Sequence, residues 1–218
     1  MSVAAQPDPA LRLTADGFAQ HAGASPGQIA DLERFLALLT DWNGRMNLVG
    51  PGSLPDFWNR HAWDSAQLLR LAPEALTWAD LGAGAGFPGL VLAILGKGRT
   101  GFHVHLIESV AKRCRFLAEV VDALDLPAQV HNARAESLAL TVEIVTARAC
   151  APLSRLLGHA EPYLRSGALG LFLKGQDVAS ELSEATRYWD FDADVVGSLS
   201  DPRGHIVRLR RLGRARKV

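Results

Sequence analysis

The chain has 218 residues, of which 48% are hydrophobic and 21% charged, enough for one substantial core and too apolar for a disordered polymer. Its basic and acidic residues balance at 23 each, which excludes a uniformly basic surface and leaves room only for a local one. No apolar run reaches the roughly 18 residues of a membrane helix, no leader pattern opens the sequence, and Cys114 and Cys150 form neither a CxxC pair nor a metal cluster with the seven histidines, so a soluble cytoplasmic protein with no membrane segment and no metal is expected.

From residue 10 to about 72 the pattern is helical. Ile29, Leu32, Phe35, Leu36, Leu39 and Trp42 recur at helical spacing, and Ser25-Pro26 ahead of them suits a helix start, serine as the cap and proline in the first turn. This predicts an N-terminal helical extension over 1–72, packed on a core domain over 73–218. Strand-like runs follow at 77–81, 103–107, 128–131, 142–147, 168–173 and 205–209, alternating for most of their length with helical candidates at 88–96, 111–124, 153–164 and 178–189. Such alternation indicates crossover units and a mostly parallel α/β sheet. At the end, FDADVVGSL and GHIVRLRRL are separated by SDPRG, too short for a crossover helix, so an antiparallel hairpin should close the sheet. Alternation along the last strand puts Ile206 and Leu212 on one face and Val207, Leu209 and Arg211 on the other.

Charge is unevenly spread. From Asp201 onward the chain carries Arg203, Arg208, Arg210, Arg211, Arg214, Arg216 and Lys217 against the single acid Asp201, a local basic end with the chemistry to attract phosphate.

The stretch ADLGAGAGFPGL (79–90) raises the chemical question. Gly82, Gly84 and Gly86 follow Asp80 at the end of a strand and precede a helix that can begin near Pro88, the layout of a ligand cradle. A dinucleotide site would want GxGxxG, and Phe87 stands where its third glycine would be. A Walker loop would need a lysine with a serine or threonine, and GFPGLVLA has none. S-adenosylmethionine suits both the acid at the strand end and the close approach to glycine backbone; a purely structural turn is the remaining alternative. Glu108 ends the next strand, where a carboxylate can take both hydroxyls of an adenosine ribose or simply cap the following helix. Ala135 and Glu136 follow the third strand, at the edge where adenine would lie.

Several short stretches together resemble the ribosomal small-subunit methyltransferase G family, also called glucose-inhibited division protein B: WNGRMNLVG (42–50), RHAWDSAQLL (60–69), ADLGAGAGFPGL, LIESVAKRCRFL (106–117), ARAESL (133–138), VTARACAPL (145–153) and LFLKGQ (171–176). They occur in the family's order. The resemblance implies a Rossmann-like class I methyltransferase with a seven-stranded sheet. It implies transfer of a methyl group from S-adenosyl-L-methionine to N7 of guanine 527 in 16S ribosomal RNA, in a small-subunit or assembly particle, by a monomer. Carried over by position, its cofactor contacts fall on Gly82, Phe87 (leucine in many members), Ala135, Glu136 and Arg148, with Asp80, Gly84 and Gly86 completing the loop. The chain departs from the family pattern at Glu143 and Thr146, where a longer acid should alter local packing.

Guanine N7 carries a lone pair and no proton, so the reaction needs alignment rather than a general base. Arg148 is the candidate for contacting cofactor or guanine. His61 and Asp64, three apart on one helical face, either position a base or phosphate or satisfy one another. RNA contacts are expected from Arg60, Arg113 and Lys174 beside the cleft and from Arg214, Arg216 and Lys217 at the end, with Arg45 and Lys112 as further candidates. Two rival readings are a methyltransferase for a small molecule or protein, and a nonenzymatic RNA-binding protein that keeps the cradle as scaffold.

Overall fold

The computed structural model describes residues 13–50 and 52–215. Arg216 and Lys217, two of the expected RNA contacts, lie outside the described residues.

Helix α1 (Ala15–Ala22) starts at Thr14, whose side chain accepts from the Gly17 N–H, and stops at Gly23 in the left-handed region. Helix α2 (Pro26–Met46) begins as expected at Ser25, with a reciprocal capping box to Gln28 and proline in the first turn, and buries Leu32, Phe35 and Leu39. A short 3-10 turn (Leu54–Asp56) leads into a π-helical turn (Phe57–Trp63) that runs straight into α3 (Asp64–Leu71). This layer does not form a core of its own. Phe18, Leu32, Phe35, Phe57 and Leu68 join Trp78, Val104, Leu106 and Phe116 in one buried cluster on one face of the sheet. Lys97 at the end of α4 (Gly89–Gly96) ties that helix to Asp31 on α2 at 3.1 Å.

The sheet contains β1 (Thr77–Leu81), β2 (His103–Glu108), β3 (Ala128–Asn132), β4 (Ile144–Arg148), β5 (Leu169–Lys174), β6 (Trp189–Gly197) and β7 (His205–Arg214), in the order β3-β2-β1-β4-β5-β7-β6. The first five strands pair in parallel, and β7 runs antiparallel to both β5 and β6. Helices α5 (Ala111–Leu124), α6 (Leu153–Arg165) and α7 (Val178–Ala185) supply further crossovers, while β3 connects to β4 through a 3-10 turn (Ala135–Ser137). Strand order reverses between β1 and β4, which opens a crevice at the carboxyl ends of those strands. The glycine loop leaves β1 there and Arg148 ends β4 there.

Glu143 has a structural task. Its Oε2 accepts from the N–H groups of Leu76 and Thr77 at 2.7 and 2.9 Å and from the Thr77 hydroxyl. It thereby clips the starts of β1 and β4 together, and these bonds hold its carboxyl below the usual range. Thr146 is buried and donates to the Leu171 carbonyl.

Two expectations need correction. Helix α7 stops at Ala185 rather than 189, because Trp189 starts β6 with its ring buried and its Nε1–H on the Ser154 carbonyl. Leu212 lies not with Ile206 but in the cluster of Val207 and Leu209. The register jumps from Ala193↔Leu209 to Asp192↔Arg211, so Arg210 is an extra bulge residue that shifts the alternation by one.

Candidate active site

Gly82, Gly84 and Gly86 all have positive φ, at +69°, +53° and +88°, conformations in which glycine is strongly preferred. Gly82 and Ala83 donate to the Ile107 carbonyl at 2.8 and 3.0 Å, folding the loop over the end of β2. The three glycines are not equivalent. A Cβ on Gly86 would run into Leu90 of α4, and one on Gly82 would stand 2.7 Å from Cys150 Sγ. At Gly84 the nearest atom is the Gly82 carbonyl oxygen at 3.6 Å. Gly84 is therefore the position where an outside group can approach the backbone, while Gly86 is required by helix packing.

Two carboxylates hold this loop. Asp80 is fully buried beneath it, with Oδ2 accepting the Gly89 N–H at 2.9 Å at the start of α4 and Oδ1 without any partner. Burial, reinforced by the Glu108 charge and opposed by the Gly89 bond and Arg148, pushes the Asp80 carboxyl up to about 7. Glu108, also buried, accepts the Gly84 N–H at 3.1 Å and the Val110 N–H at 2.8 Å, and Arg113 stands 3.6 Å away. It is thus both the acid at the end of β2 and the clamp on the open glycine. Val110 beside it is one of the few large apolar side chains left exposed.

Arg148 projects from the end of β4 and is held on several sides. Its Nη1 donates to the Arg60 carbonyl at 3.0 Å and lies 3.5 Å from Asp64 Oδ2. Its Nη2 donates to His61 Nδ1 at 2.9 Å, and its guanidinium carbon sits 4.6 Å from the centre of the Phe87 ring. His61 stacks on Phe87 at 4.5 Å with 13° between the planes. The next residue, Ala149, takes a positive φ of 49°, a costly turn for a non-glycine residue, and Cys150 after it reaches over Gly82.

His61 and Asp64 do not satisfy one another. Each meets Arg148, and Asp64 Oδ1 accepts from the Ser200 hydroxyl at 2.6 Å and from Gln67. Burial, then the Arg148 and Arg60 charges, lower His61 to about 3. With Nδ1 accepting from Arg148, the neutral ring carries its proton on Nε2, which is buried and has no partner. His61 is therefore occupied and uncharged at neutral pH, a poor proton acceptor.

Other expected residues sit differently. The Ala135 carbonyl accepts from the Tyr163 hydroxyl at 2.8 Å, and the Glu136 carboxylate meets His159 Nδ1 at 2.9 Å with Arg134 at 3.9 Å. Glu136 is thus joined to α6 through His159, and Ala135 through Tyr163. Lys174 does line the cleft but is no free cation, since its Nζ lies 2.6 Å from Glu181 and donates to the Ala151 carbonyl. The basic end is largely neutralised: Arg208 and Arg210 share Asp194, Arg211 meets Asp190, and Arg214 pairs with Glu161 at 2.8 Å while covering Trp189. Arg214, expected to contact RNA, is thus engaged with Glu161 and Trp189 and does not line the cleft. Arg60 and Arg113 both line the cleft, alongside Gly82, Gly84, Phe87 and Arg148.

Sequence reasoning missed Cys150, Val110 and Ser200. Only Val110 left a signal, an apolar residue in the polar turn ESVAK; the other two are brought in by contacts across the fold.

The chain is similar to known proteins along nearly its whole length. The family model described as GidB, rRNA small subunit methyltransferase G, matches residues 28–206. A ribosomal RNA small subunit methyltransferase G of Caulobacter vibrioides (strain NA1000 / CB15N) is 63% identical over 215 residues, covering 97% of this chain and all of that one. The protein of the same name from Methylorubrum extorquens (strain PA1) is 51% identical over 188 residues, covering 85% and 89%. Among solved structures, a putative O-methyltransferase from Klebsiella pneumoniae has a TM-score of 0.55 at 13% identity, covering 86% of this chain and 91% of that one. A SAM-dependent methyltransferase from Aquifex aeolicus scores 0.52 at 16%, covering 75% and 94%. At such identities these two show the Rossmann-like fold alone.

Proposed function

Because the chain belongs to the rRNA small subunit methyltransferase G family, we propose that its cleft is the site of methyl transfer to ribosomal RNA and that the residues around Gly84 and Arg148 carry it out. The chain is an S-adenosylmethionine-dependent methyltransferase that modifies N7 of guanine in 16S ribosomal RNA, with guanine 527 as the target position. We place the reaction in the cytoplasm and assign it to a monomer acting on RNA in a small-subunit or assembly particle.

The observation that carries the reading is the open approach to Gly84, flanked by Glu108 and backed by the unpartnered Oδ1 of Asp80. These groups fit a ligand with cationic and ribose ends. Glu108 is suited to the ribose, since a carboxylate has acceptor capacity beyond the two N–H groups it already holds. Val110 offers an apolar surface for the adenine, and Phe87 and Arg148 wall the side toward the π-helical turn. When bound, S-adenosylmethionine supplies a sulfonium methyl that is already electrophilic.

The chain's own work is then orientation. Guanine N7 has no proton to lose, and the site matches that need, because its one buried histidine is neutral with Nδ1 occupied. Arg148 is held by its contacts at a fixed place in the cleft wall, and three of its five N–H groups are directed at Arg60, Asp64 and His61. The others are available to a guanine acceptor such as O6, which lies beside N7 on the same base edge. Such a contact would fix the base while leaving N7 free. The target base must be unstacked to reach this depth.

The test is methylation of small-subunit particles from cells lacking this protein, with the modified nucleotide mapped. A labelled methyl at guanine N7 is expected. Binding of S-adenosylmethionine with no transfer to RNA would overturn the reading.

A further inference from the structure

The cleft is larger than a cofactor needs. Its volume of about 1340 Å³ exceeds the roughly 300–1,000 Å³ of a small-molecule site. Its walls come from two groups of elements. One is the glycine loop with Phe87 and Arg148; the other is the π-helical turn, α3 and the loop between β6 and β7, with Asn59, Arg60, Arg70, Ser200 and Arg203 facing the space.

That loop is a fixed wall. Asn59 Nδ2 donates to the Ser200 carbonyl at 3.0 Å and Trp63 Nε1 to the Leu199 carbonyl at 3.2 Å. Gln67 donates to Ser198 Oγ and accepts from the Leu199 N–H at 2.8 Å. The Ser200 hydroxyl donates to Asp64, whose other oxygen faces Arg148. The loop is thus hydrogen-bonded to the same carboxylate that helps hold the arginine at the methyl-transfer site.

Among the described residues, two of the three cations on this arm have no ion-pair partner, and the third has only an exposed one. Arg60 and Arg70 are exposed, and among the described residues neither side chain makes an ion pair. Arg203 meets only Asp201, at 3.2 Å, with both side chains well exposed; such a pair is worth little and yields readily to a phosphate. The arginines farther along β7 are paired as well, Arg208 and Arg210 with Asp194, Arg211 with Asp190 and Arg214 with Glu161, but it is Arg60, Arg70 and Arg203 that line the cleft.

We propose that this second arm of the cleft is the seat of the single-stranded RNA flanking the target guanine, with Arg60, Arg70 and Arg203 holding its sugar-phosphate backbone and Asn59 and Ser200 offering polar contacts. The proposal rests on the reading of the cleft as a site of methyl transfer to ribosomal RNA. Backbone contacts of this kind set register and leave recognition to the base edge. A single strand is required because a paired guanine cannot bring N7 to the cleft floor.

The test measures affinity for 16S ribosomal RNA from cells lacking this protein, as a function of salt, for wild type, for Arg60→Ala/Arg70→Ala/Arg203→Ala and for the corresponding triple lysine variant. Each single-strand phosphate contact contributes about 0.7 to the log-log slope, so the alanine variant should lose about 2 units of slope while binding S-adenosylmethionine as wild type does. The lysine variant should regain most of the slope, since the charge is kept. Superimposable curves for wild type and alanine variant, with a wild type that methylates N7, would overturn the groove alone. A wild type that leaves guanine unmethylated but whose salt slope still depends on the three arginines would overturn the functional reading and leave the groove standing.

Discussion

Replacing Asp80 by asparagine should flatten part of the pH dependence of stability. The carboxyl is pushed from its ordinary 3.8 up to about 7 in the folded protein, so between those values the folded state holds a proton that the unfolded chain has released. Stability must then fall as pH rises through that window. At about 1.4 kcal/mol per pKa unit the full effect is on the order of 4 kcal/mol, of which roughly half or more falls between pH 5 and pH 8. Asparagine keeps a carbonyl for the Gly89 N–H but places an amide where Oδ1 has no partner, a pH-independent cost of about 1–3 kcal/mol.

The assay is urea unfolding of both proteins across pH 5 to pH 8, read as the difference between their unfolding free energies. Other titrating groups act alike in both, so the difference isolates Asp80. The gap between the two should move in asparagine's favour by roughly 2–3 kcal/mol from pH 5 to pH 8. Parallel curves would show that Asp80 ionises normally in the folded protein, which would remove the argument that burial beneath the glycine loop holds it protonated.

Gly84→Asp should abolish measurable S-adenosylmethionine binding by calorimetry while circular dichroism stays native. Its Cβ meets no obstacle closer than 3.6 Å, and aspartate tolerates the left-handed region, so what it adds is bulk and negative charge at the ligand's approach. Glu108→Ala strands the N–H groups of Gly84 and Val110 and should weaken cofactor affinity by about 1–3 kcal/mol, checked by the same titration. Arg148→Lys retains the charge but loses the fork that meets both Arg60 and His61; kcat in single-turnover methylation should fall more than cofactor affinity does. Arg214→Ala should leave RNA affinity and its salt slope unchanged and cost at most about 1 kcal/mol of stability, measured by thermal melting.

The legible part of this molecule was the part written in local pattern. Glycine spacing, a serine-proline start and alternating apolar runs placed α2, the β1 loop and every parallel strand, because each leaves its pattern within its own segment even where, as in the strands, the pairing partner is distant. The hairpin face failed for an equally local reason that leaves no local mark. Arg210 reads as an ordinary member of an alternating strand, and only its cross-strand register reveals a bulge that moves Leu212 to the other side. The cluster around Arg148 was harder still: His61, Asp64 and Ser200 lie 87, 84 and 52 positions away in the chain, and their spacing carries no period.

Charge was misread for a related reason. A run of arginines announces a basic patch only if the strand beside it is neutral, and the strand beside β7 is FDADVV with Asp190 just ahead. Antiparallel pairing sets Asp194 against Arg208 and Asp190 close to Arg211, as cross-strand charge pairing favours. The acids that pair with Arg208, Arg210 and Arg211 of β7 were therefore present in the sequence, at the distance a hairpin folds back. Arg60, by contrast, is already a candidate RNA contact in RHAWDSAQLL. It ends up unpaired at the cleft because the π-helical turn commits its carbonyl to Arg148 and leaves its guanidinium exposed to the space a phosphate can enter.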